Sequence, residues 1–138
     1  MKNIEIKQFG KDHWSLLAYV DTRCVDHKGV LDIVHLRTKH PAIATTPLGQ
    51  NMWEPEYGTR LKGYWKEDGT KDESKKLLDH DDHDCLDALE KAGLLTDVGT
   101  MINPFAALTK EGWRIATLLR QHKAAGGQFA DFDVPITN

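Results

Sequence analysis

Hydrophobic positions along the chain recur at helical spacing in three stretches and alternate in shorter ones. The lead segment Asn3-Ile4-Glu5-Ile6-Lys7-Gln8-Phe9 alternates, which predicts a short strand or extended arm. Leu16, Leu17, Val20 and Cys24 then fall on one face, with Trp14 and Tyr19 flanking them, and predict a helix over 12–26. Asp12 is its expected N-cap and Gly29 its left-handed stop. Gly29-Val30-Leu31 reads as a brief extended link, after which Asp32 caps a second helix over 32–38, ended by Pro41. The clearest helix spans 80–92, where Cys85, Leu86, Leu89 and Ala92 form the stripe and Gly93 ends it. Short apolar segments on either side of Gly99-Thr100-Met101-Ile102-Asn103 predict a β-hairpin over 94–108, with Pro104 placing its second strand at an edge. Thr109 caps a last helix over 109–124, whose expected core face is Trp113, Ala116 and Leu119, with Ile115 beside them. The tail is expected to fray, with Phe129 and Phe132 placed to dock back.

Residues 39–78 break this rhythm. Pro41, Pro47, Gly49, Pro55 and Gly58 punctuate a stretch with little periodicity, followed by a strand-like run over 59–66 and a turn at Glu67-Asp68-Gly69-Thr70. The pattern as a whole predicts one α+β domain over residues 1–138, carrying an irregular insertion at 39–78.

Two segments add a resemblance to this order. Leu86-Asp87-Ala88-Leu89-Glu90-Lys91-Ala92-Gly93-Leu94-Leu95 resembles the end of the recognition helix in MarR- and PadR-type winged helix-turn-helix regulators. Leu108-Thr109-Lys110-Glu111-Gly112-Trp113-Arg114-Ile115-Ala116 resembles the family's next segment, which closes the wing and opens a helix. The resemblance covers about residues 84–118. It implies a winged-helix-like fold, a hairpin wing and, in the family, DNA binding through the start of the recognition helix. The chain also resembles small phage and plasmid proteins.

Charge alters the functional expectation. The net charge is −3, from 18 basic and 21 acidic residues. Residues 79–99 alone carry seven acids against one base, net −6. Asp79, Asp81, Asp82 and Asp84 fall where a recognition helix would face phosphates, and the hairpin tip carries no Lys or Arg. An acidic first turn is also what the helix dipole favours, so part of this block is expected to be solvated helix surface. The insertion contributes the opposite sign: Arg60, Lys62 and Lys66 interleave with Trp53, Tyr57, Tyr64 and Trp65, a mix suited to nucleic acid or to a protein hot spot, and the pair Lys75-Lys76 follows.

Candidate chemistry is sparse. Cys24 and His27 form a Cys-x-x-His pair, and His83 and Cys85 lie close together, giving the residue types of a zinc site. Both cysteines fall on apolar stripes, however, so core cysteines and surface histidines are the expectation, and no metal or other cofactor is called for. His80 pairs with Asp84 and His35 with Asp32, but no nucleophile motif or phosphate-binding glycine loop accompanies them. An enzyme is therefore not expected. Two cysteines point to a reducing, cytoplasmic setting, taken to be that of a bacterial host. The N-terminus lacks a signal peptide's apolar core, and the longest apolar runs are too short for a membrane span.

The expected function is thus a non-enzymatic protein that binds another protein through its acidic helix. Asp79, Asp81, Asp82, Asp84 and Asp87, with Trp53 and Tyr64, are the partner-binding candidates. An inhibitor of a host defence or nuclease complex, acting as a nucleic-acid mimic and encoded by a phage or plasmid, fits that charge. The alternative is a DNA-binding winged-helix transcriptional regulator using Arg60, Lys62, Lys66, Lys75 and Lys76. The Trp113 helix offers a surface for a homodimer.

Overall fold

The structure is a computed structural model that describes residues 4–26, 28–31, 58–96, 99 and 105–134. The expected helix over 32–38, most of the first half of the insertion, Trp53 and His27 lie outside them. Among the described residues three α-helices and two small antiparallel strand pairs form an α+β fold.

The central element is α1 (Lys11–Asp26), which packs against α2 (Asp82–Lys91), α3 (Lys110–Ala124) and a C-terminal 3-10 turn at Phe129–Asp131. Leu16, Leu17 and Val20 of α1 meet Cys85, Leu86 and Leu89 of α2 and Ile115, Ala116 and Leu119 of α3 in one core. Each of these large aliphatic side chains contributes about 1.5–3 kcal/mol by leaving water. Past Asp26, Lys28 at φ 56° and Gly29 at φ 84° turn the chain left-handed, and the Gly29 N–H returns to the Arg23 carbonyl at 3.0 Å.

α1 starts one residue earlier than expected, and Asp12 is not its cap. Its carboxylate is drawn inward by Arg60, while the Gly10 N–H reaches Nδ1 of His13 at 3.4 Å. The N-terminal arm is likewise a 3-10 turn, Ile6–Gln8, and not a strand. Burying Ile4 and Phe9 together requires the chain to turn between them.

Of the expected hairpin, the described residues include one short strand pair. β3 (Leu95–Thr96) pairs with β4 (Ala107–Leu108), Leu95 opposite Leu108. The extended link joins it: Val30 forms an antiparallel bridge with Phe105, and the Ala106 N–H donates to the Gly29 carbonyl at 3.0 Å. Thr109 caps α3 as expected, accepting from the Gly112 N–H at 3.0 Å and donating to the Gly93 carbonyl. The order helix, extended link, helix, hairpin, helix is compatible with a winged-helix-like fold.

Two expectations fail on helix phase and strand length. Trp113 is 40% exposed and not core. Gly112 lies against the Leu94 carbonyl, where any Cβ would overlap it, and this fixes the buried face of α3 at Gly112, Ile115, Ala116 and Leu119. The strand over 59–66 contracts to β1 (Thr59–Arg60), because the chain turns at Lys62-Gly63, with Gly63 at φ 90°. The partner of β1 is β2 (Lys76–Leu77), which alternation alone did not mark.

Candidate functional site

The acidic helix start is built as a double cap. The Asp81 carboxylate accepts from the backbone N–H groups of His83 and Asp84, at 3.0 and 3.2 Å. Asp84 answers by accepting from the Asp81 N–H at 2.9 Å. Two carboxylates thus take up three of the four donors that a helix start leaves open. The first turn also lies inside the molecule: His80, Asp81 and Asp82 are 5%, 3% and 1% exposed. Of the acidic candidates, Asp79 is exposed, Asp84 and Asp87 are half-buried, and Asp87 pairs with Lys91 at 3.0 Å. The expected open acidic face is therefore corrected at Asp81 and Asp82, which capping and packing draw inward.

What covers this turn is β1. The Thr59 hydroxyl donates to the His80 carbonyl at 2.9 Å and lies 2.8 Å from Nδ1 of His80 and 3.5 Å from Sγ of Cys85. A hydroxyl has one proton and two lone pairs. With the proton committed to the carbonyl, His80 Nδ1–H and the Cys85 thiol are the donors to the oxygen. His80, expected at the surface, is thereby a buried packing residue.

Arg60 completes the join. Its backbone N–H donates to Oδ2 of Asp12 at 2.7 Å, and its guanidinium spans both carboxylate oxygens, at 3.3 and 3.0 Å. Asp12 and Arg60 are 0% and 8% exposed. Arg60 is thus a buried tie between α1 and β1, not the phosphate contact expected of it. Tyr64, expected to meet a partner, is equally buried, its ring edge-on to Trp65 at 5.1 Å.

The other basic candidates stay outside. Lys62, Lys66 and Lys75 are exposed and Lys76 is half-buried. Lys62 pairs with Asp133, and Lys71 lies over the exposed Trp65 ring at 5.0 Å. Asp68 and Asp72, in the same stretch, are held below the usual carboxylate range by hydrogen bonds from Thr70 and Ser74.

The two cysteines have different partners: Sγ of Cys24 lies 3.3 Å from the Ala106 carbonyl, whereas Cys85 faces Thr59 and His80. Burial pushes the Cys24 thiol up. Among the described residues no group of three or more His, Cys, Asp or Glu side chains is arranged to hold a metal, and no helix is long and apolar enough to cross a membrane.

Two features escaped the sequence reading. Val30 and Phe105 oppose each other in one bridge and are 55% and 43% exposed, an apolar pair on one face. A pocket of about 570 Å³ also opens between the N-terminal turn, α1, the start of α3 and the C-terminal tail. Its lining comes from sites more than a hundred residues apart in sequence, so no local pattern marks it.

No family model matches the chain, and neither a curated protein nor a solved structure matches it.

Proposed function

We propose that the chain is a non-catalytic binding protein, using a winged-helix-like frame to hold another protein and not to read duplex DNA. The observation that carries this reading is the covered first turn of α2. In a winged helix that turn enters the major groove. Here His80, Asp81 and Asp82 lie inside the chain's own fold, with β1 against them. The surrounding sequence is net −6 over 79–99, which repels phosphate. Mimicry of nucleic acid by Asp81 and Asp82 loses support for the same reason, since a buried carboxylate meets no partner. Among the described residues, Val30 and Phe105 are two exposed apolar side chains that strand pairing sets side by side. An exposed aromatic ring such as Phe105, with apolar Val30 beside it, suits the desolvated centre of a protein interface.

Two measurements test this. Titration of a labelled random-sequence duplex at low salt is expected to give no saturable binding. A sub-micromolar complex that weakens steeply with salt overturns the proposal in favour of the winged-helix regulator. Crosslinked pull-down from source cells, compared between the wild type and Phe105→Asp, is expected to show a protein retained by the first and lost by the second. A retained set that is the same for both also overturns it.

A further inference from the structure

The turn between Trp65 and Lys71 carries a chemistry that neither the α2 start nor the Val30–Phe105 pair uses. It holds Asp68-Gly69, the one Asp-Gly step of a sequence that has no Asn-Gly. Trp65 and Lys71 face each other in an antiparallel bridge, and the Lys66 N–H donates to the Thr70 carbonyl at 2.9 Å. Asp68, Gly69 and Thr70 are exposed, and nothing lies within 4 Å of the place a Gly69 Cβ would take. Water therefore reaches the step, and Gly69 has no side chain to shield its own nitrogen.

An Asp-Gly step can rearrange without a catalyst. The glycine nitrogen attacks Cγ of the protonated aspartic acid. An N–Cγ bond forms, a carboxyl C–O bond breaks, and water leaves, carrying the proton of the nitrogen. Water then adds to the α-carbonyl of the resulting succinimide and breaks its bond to the nitrogen. The main chain now runs through Cγ, as isoaspartate. One water leaves and one returns, so no other reactant is needed.

The folded turn withholds both reacting groups. Oδ1 of Asp68 accepts from the Thr70 N–H at 2.9 Å and from the Thr70 hydroxyl at 2.6 Å. These bonds hold the carboxylate toward the second residue on, not the next, and keep it ionised. The Gly69 N–H is itself committed to the Lys66 carbonyl at 3.0 Å. We propose that Asp68-Gly69 is a latent site of isoaspartate formation, restrained in the folded chain by the Thr70 hydroxyl. Conversion lengthens the turn by one backbone carbon. The Lys66–Thr70 bond is then lost, and Lys71 leaves the Trp65 ring that it covers at 5.0 Å. The proposal is independent of the protein-partner reading, because it involves neither Val30 nor Phe105.

The test ages the full chain at neutral pH and 37 °C and measures isoaspartate in the peptide containing residue 68, by mass spectrometry and by enzymatic methyl transfer from S-adenosylmethionine. The folded wild type is expected to convert slowly. The same chain held unfolded in guanidinium chloride is expected to convert about tenfold faster, because both restraints are released together. Thr70→Val keeps the backbone N–H bond and loses the hydroxyl bond, and is expected to convert roughly threefold to tenfold faster than the folded wild type. Thr70→Ser restores the hydroxyl and is expected to return the rate to that of the wild type. Because Thr70 is exposed, both variants are expected to keep the wild-type thermal midpoint. Asp68→Glu is expected to remove the signal. Three results overturn the proposal. One is equal conversion, or none, in the folded and unfolded wild type. Another is a Thr70→Val rate no faster than that of Thr70→Ser. The third is a signal that persists in this peptide of Asp68→Glu.

Discussion

Two charged stretches of this chain meet opposite fates. Residues 79–84 are its most acidic run, yet Asp81 and Asp82 are buried. Residues 62–75 are nearly as charged and lie mostly at the surface. Charge density does not separate them; the position of backbone donors does. The acidic run coincides with a helix start, where open N–H groups and the dipole repay a carboxylate for lost water. The second stretch, with four lysines and four carboxylates, coincides with turns, and its lysines stay at the surface, where they keep their hydration. Arg60 is the exception that fits the rule, since Asp12 awaits it from α1.

The sharpest way to break this comparison is to remove the acid that draws Arg60 inward. Asp12→Ala leaves a buried guanidinium uncompensated and is expected to cost about 3–5 kcal/mol, roughly 10–20 °C in thermal midpoint by circular dichroism. The double variant Asp12→Leu/Arg60→Met is expected to recover most of that loss, because both charges go together. A single variant as stable as the wild type would mean that the pair is not the join between α1 and β1.

Next in size is the cap. Asp81→Ala is expected to cost about 1–2 kcal/mol, and Asp81→Asn less, because an amide oxygen still accepts the two N–H bonds. An Asp81 variant that is neutral in chemical denaturation would return this residue to the role of free surface charge.

Reversing the outer charges sharpens the other side of the comparison. Lys66→Glu and Lys75→Glu are each expected to change stability by no more than about 0.5 kcal/mol. A larger loss would show that this stretch depends on its cations.

The smallest effect is one of pH. Asp131 is held below the usual carboxylate range, first by the Gln128 backbone N–H and then by His122, whose Nε2 lies 2.6 Å away. A depressed carboxylate contributes stability above its ordinary pKa of about 3.9, and the contribution is lost as pH falls through the lowered folded value. The small midpoint gap between the wild type and Asp131→Asn is therefore expected at neutral pH and to close on acidification below pH ~4. A gap that widens toward acid would reverse the sign of the assignment.

The sequence by itself determined the three described α-helices and their stops. Leu16, Leu17 and Val20, then Cys85, Leu86 and Leu89, fall at core spacing and are core, while Gly29, Gly93 and Thr109 end or start elements by local backbone chemistry. These features are legible because period and capping act within a few residues. Only the tertiary structure decided which face of α3 turns inward, since that depends on Gly112 meeting the Leu94 carbonyl. It also decided that Arg60 and Tyr64 are buried, that β2 pairs with β1, and that Phe9, Trp14 and Phe132 line one pocket. Each of these outcomes joins atoms far apart along the chain. A side chain's type limits what it can do, and the partner that folding brings to it settles whether it becomes a cap, a buried tie or an exposed charge.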